Sequence, residues 1–77
     1  MIEKIKKRIR FHQDNCHDLE CEKRAVWTHY ENETRKGLDD YQLQELLMWR
    51  KVSIAECDIL VRAHTIEAEF LRGLIDG

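Results

Sequence analysis

Apolar residues in the second half of the chain recur at steps of three and four. Leu43, Leu47, Ile54, Cys57, Val61, His64, Ala68, Leu71 and Ile75 form one stripe, the spacing of a helix face that meets a neighbouring helix. A second apolar stripe runs along the same stretch through Met48, Val52, Ala55, Ile59, Ala63, Ile66 and Phe70, with Trp49, Leu60 and Leu74 on its flank. On a helical wheel the two stripes stand about 140° apart, at about 100° per residue. Gln44, Lys51, Asp58, Arg62, Thr65, Glu69 and Asp76 fill the polar arc that remains. The pattern predicts one long helix, over about residues 40–74, that needs two neighbours.

The first half carries one stripe only: Ile2, Ile5, Ile9, His12, Cys16, Leu19, Lys23, Val26 and Tyr30. Apolar content outside it is thin, so a helix over about 2–36 is expected to pack on one side and face water on the other. Arg10 and Asp14, four apart, are an expected surface ion pair along it. Between the helices, Arg35 and Lys36 suit a helix C-terminus, and Gly37 suits the left-handed position that ends a helix. Asp39 followed by Gln42 is a capping-box pattern for the next helix, with Leu38 and Leu43 placed as a hydrophobic staple. These signals predict a turn at 37–39, and a connection so short makes antiparallel neighbours.

The two stripes fit one hairpin. Pairing residues whose numbers sum to 76 or 77 sets Ile2 against Ile75, Ile9 against Ala68, His12 against His64, Cys16 against Val61, Leu19 against Cys57 and Val26 against Arg50. The predicted fold is all-α: residues 1–77 as one antiparallel two-helix hairpin domain. Its second stripe, left without an intramolecular partner, is expected to dimerise the hairpins into a four-helix bundle. The predicted interface is Met48, Trp49, Val52, Ala55, Ile59, Ala63, Ile66 and Phe70.

Composition agrees with long helices: 77 residues contain no proline and three glycines, 43% are hydrophobic and 36% charged. A chain this short buries only about 60% of its unfolded surface, so oligomerisation is a common source of extra packing. Lys23 and Arg50 interrupt the hairpin stripes, with Glu22 or Glu56 as expected counter-ions, and set register at some cost in stability. Trp27 and Trp49 flank the stripes as core rim or as anchors for a second protein.

A formal net charge of −2 is too balanced to imply nucleic acid or membrane by itself. Lys4, Lys7, Arg8 and Arg10 nevertheless make a basic patch at one end, and this gives a rival reading as a nucleic-acid-binding hairpin dimer. Three cysteines, an odd number, do not make a disulfide framework, and reduced thiols point to the cytoplasm. No apolar run reaches the roughly 20 residues of a membrane span, and the charged start lacks the apolar core of a signal peptide.

His12, Cys16, His64 and Cys57 are the residues that a His/Cys metal site would draw on, since four-residue spacing puts two ligands on one helix face. No C-x-x-C or H-E-x-x-H pattern accompanies them, and the carboxylate pairs of the all-α nucleotide pyrophosphatases are absent. The reading is therefore a small non-enzymatic protein, without metal or other cofactor, that acts by protein–protein contact as a regulator, adaptor or inhibitor. Its size and character suit proteins carried by phages and mobile elements. A metal-binding module is the remaining alternative.

Overall fold

The computed structural model describes residues 1–76, which form two α-helices and no strand. The first helix, α1, spans Ile2–Thr34, and the second, α2, spans Asp40–Asp76. Residues 35–39 join them. Gly37 sits at φ +72°, where a side chain would strain the backbone. Asp39 Oδ1 accepts the Gln42 backbone N–H at 2.8 Å, and Gln42 Oε1 accepts the Asp39 N–H at 3.1 Å. Two amide donors that the helix start would otherwise leave unpaired are satisfied in this reciprocal way.

The helices end one or two residues from where the pattern puts them. Arg35 and Lys36 lie beyond the last turn of α1, because the chain closes on itself at its end. The Thr34 hydroxyl donates to the Glu31 carbonyl at 2.8 Å, and the Lys36 amide donates to the Glu33 carbonyl at 3.1 Å. The Lys36 ammonium also meets the Glu33 carboxylate at 2.9 Å and holds it below the usual carboxyl range. At the other end α2 continues through Gly73 to Asp76, with Ile75 half-buried.

α2 runs back along α1. His12 meets His64, Cys16 reaches Val61, Lys23 meets Asp58, and Trp27 meets Arg50. Partner numbers fall as α1 advances, so the two helices are antiparallel, and the His12 and Cys16 layers sit at the register read from the stripes. The result is a rod of 56 × 15 × 13 Å. Its radius of gyration is 17.5 Å, against about 11–12 Å for a compact chain of this length.

The seam between the helices is narrow. Ile9, His12, Val26, Cys57 and Ala68 are buried, and no large side chain among the described residues is fully enclosed. The two charged residues of the seam take partners other than Glu22 and Glu56. Lys23 Nζ lies 2.7 Å from Asp58 and 3.6 Å from Glu20, and the Asp58 hydrogen bond raises its proton affinity above the ordinary lysine value. The Arg50 guanidinium lies 4.3 Å from the Trp27 ring centre and 4.5 Å from that of Tyr30, a cation–π arrangement that keeps a charge at an apolar seam. Arg10 and Asp14 form no ion pair, in keeping with the small gain such exposed pairs offer.

Candidate functional site

One line of α2 is spent on α1; the opposite line is free. At about 100° per residue, Ile59 stands about 160° around the helix from buried Cys57 and about 180° from buried Ala68. Along the free line Ile59 is 67% exposed, Phe70 65%, Met48 63%, Ile66 58% and Val52 46%. Ala55 and Ala63 between them are exposed as well. Trp49, Leu60 and Leu74 widen the strip on one margin. From Met48 to Phe70 it is about 33 Å long at 1.5 Å per residue.

The magnitude of the exposure can be judged against chain mass. A folded monomer of 9.3 kDa is expected to show about 5000 Å² of surface, whereas this chain shows 6127 Å². The excess is comparable with the roughly 800 Å² that each partner contributes to a protein–protein interface of standard size. Part of it follows from the rod shape, but most of the large exposed apolar side chains lie on one side of α2. An apolar patch of several hundred Å² marks an interaction site in a monomeric protein.

Elsewhere the side chains singled out by type are only partly gathered. His12 is 5% exposed, and its Nδ1 lies 2.8 Å from Nδ1 of His64, so one ring donates and the other accepts. Phe11 turns its ring toward both, with centroids 5.2 Å from His12 and 6.2 Å from His64. Cys16 is next to this pair: its thiol donates to the Val61 carbonyl at 3.7 Å and lies 3.8 Å from the Thr65 hydroxyl. Cys57 is apart from it, about 10 Å along α2 from His64, and 4% exposed. Burial pushes its thiol above the ordinary range, and the Glu22 carboxylate pushes it further. Among the described residues no three histidine, cysteine or acidic side chains are placed to hold a metal ion together.

Lys4, Lys7, Arg8 and Arg10 are all exposed at the end of the rod remote from the turn. Arg8 lies over the Phe11 ring at 4.6 Å. The patch shares its end of α1 with Glu3, which sits 4.0 Å from Lys6.

Three features had no place in the stripe pattern: the Lys23–Asp58 bridge, the stacking of Arg50 on Trp27 and Tyr30, and the edge contact of His29 with Trp49 at 5.1 Å. Only the Arg50 contact had a signal in the register, which set Val26 against Arg50. Both tryptophans are rim residues, Trp27 at 43% and Trp49 at 40% exposure.

Comparisons of the chain with protein-family models, with curated proteins and with solved structures find no match. No helix among the described residues is long and apolar enough to cross a membrane.

Proposed function

We propose that this chain is a non-enzymatic helical module that works by protein–protein contact, as a regulator, adaptor or inhibitor, and that the outer face of α2 is its working surface. The observation behind this reading is the continuous exposed line of Met48, Val52, Ile59, Ile66 and Phe70, an apolar face that the chain does not cover with its own residues. A helix lying along that line would bury it by the same three-and-four packing that joins α2 to α1. Two copies of the chain joined there make a four-helix assembly. Because the free line stands opposite the α1-facing line, its two α2 helices lie in the middle and each α1 lies outside. The free thiols of Cys16, Cys21 and Cys57 suit a reducing compartment such as the cytoplasm.

The test is to place a charge on the face at Ile59→Glu and, separately, at Phe70→Glu. Both positions are exposed, so helix content by circular dichroism should stay as in wild type. Every protein contact of the chain, with itself or with another protein, should be lost or weakened by both changes. Contact that survives both substitutions unchanged would overturn the reading.

A further inference from the structure

The outer face of α2 has a symmetry that bears on what covers it. Counted from Ile59, the exposed apolar residues stand at four, seven and eleven positions on either side: Ala55 and Ala63, Val52 and Ile66, Met48 and Phe70. Each pair is matched in kind, small with small, β-branched with β-branched, long with long. We propose that the occupant of this face is the α2 of a second copy, antiparallel to the first, with the two-fold axis at Ile59. The inference rests on the reading of that face as a protein-contact surface and names its partner.

In this arrangement Ile59 meets its counterpart, and the alanines above and below leave room for both side chains. Val52 then faces Ile66, and Met48 faces Phe70, at each end. The layers are satisfied in one register only, since a shift along the axis sets the long side chains against alanines.

The self-matching about Ile59 carries the antiparallel orientation, and the margins of the strip fit it. On one margin stand Lys51, Asp58, Arg62 and Glu69; on the other, Trp49, Glu56, Leu60, Glu67 and Leu74. A two-fold axis perpendicular to the helices places each margin against the same margin of the partner. Lys51 then comes beside the partner's Glu69, and Asp58 beside the partner's Arg62, each contact occurring twice, while on the other margin Trp49 comes beside the partner's Glu67 and Leu60 beside the partner's Glu56. Lys51, Arg62 and Glu69 have no ion-pair partner within the chain among the described residues. Asp58 gives Oδ1 to Lys23 and keeps its other oxygen for the Arg62 guanidinium. Asp58, Ile59 and Arg62 already line one shallow depression of the surface. A parallel pair would cross the margins, setting Lys51 near the partner's Glu56 and Arg62 near the partner's Glu67, but it would make no use of the two-fold matching about Ile59. Charge pairing at the edge selects register more than it adds affinity.

The test uses spin labels and charge reversal on the full chain. A nitroxide is attached at Gln44→Cys with Cys16 and Cys21 replaced by serine. The antiparallel dimer predicts a distance between labels of about 45 Å, twice the rise from residue 44 to 59. A parallel dimer predicts less than about 20 Å. Lys51→Glu should raise the dimer dissociation constant about five- to tenfold by turning two attractive contacts repulsive, and adding Glu69→Lys should restore it. A short label distance overturns the proposal. Rescue of Lys51→Glu by Glu56→Lys instead of Glu69→Lys overturns it as well. A wild type that stays monomeric at high micromolar concentration, yet binds another protein in a manner abolished by Ile59→Glu, overturns the second copy as occupant and leaves the contact surface standing.

Discussion

Replacing His12 with leucine should cost more stability than replacing His12 and His64 together. The two Nδ1 atoms are 2.8 Å apart and His12 is 5% exposed, so His64 in the single variant keeps a polar atom in the seam without its partner. A part-buried donor or acceptor left unpaired costs about 1–3 kcal/mol, whereas removing both members of the bond can be nearly neutral. A chain of 77 residues has about 4–12 kcal/mol of stability in total, so a loss near 2 kcal/mol is large. It should lower the melting midpoint by roughly 8–16 °C. The double leucine variant should recover most of that drop, giving a coupling of about 1 kcal/mol or more between the two sites.

Helix melting followed by circular dichroism, at one chain concentration because association shifts the midpoint, reads these losses. Additive losses in the two single variants would refute the argument.

Gly37→Ala should destabilise the chain by about 1–2 kcal/mol, and Asp39→Ala by about 0.5–2 kcal/mol through the lost cap; Gly37→Asn, which tolerates the left-handed region, should cost less than Gly37→Ala in the same melts. With a thiol reagent at mildly alkaline pH, exposed Cys21 should react promptly. Cys57, whose thiol is held protonated by burial and nearby carboxylates, should react only as the chain unfolds, and equal rates for the two would contradict the seam. Replacing Lys4, Lys7, Arg8 and Arg10 by alanine should leave helix content and protein contact unchanged, because all four are exposed and off the α2 face. Nucleic-acid binding that weakens steeply with salt and vanishes in that variant would instead favour the basic end as the working site.

Most of the architecture is legible in the residues because each level agrees with the next. The turn is legible because Gly37, Asp39 and Gln42 act through backbone geometry and hydrogen bonds within a few residues of one another, and distant packing has little say there. The His12–His64 layer is legible because two stripes of fixed period admit one register. Side-chain partners at the rim are less so. Lys23 meets Glu20 and Asp58 in place of its neighbour Glu22, because adjacent helical residues do not face each other and the cross-helix partner depends on how far each helix is turned. Arg50 takes an aromatic surface in place of Glu56, because a guanidinium can stack as well as pair with a carboxylate. The exposed face of α2 is visible in the sequence as surplus apolar residues, but what lies on it is a property of two surfaces, and only the self-matching of this one around Ile59 speaks to the second.

Hydroxyl-radical footprinting of the wild-type chain across a concentration series, read by mass spectrometry, tests the claim that the outer face of α2 makes the contact. Met48, Trp49 and Phe70 carry reactive, exposed side chains on the face, and Met1 and Phe11 are exposed away from it. Modification of Met48, Trp49 and Phe70 should fall together as association proceeds, while Met1 and Phe11 react as before. Protection of Phe11 with Met48 and Phe70 still fully modified would contradict it and place the contact on α1.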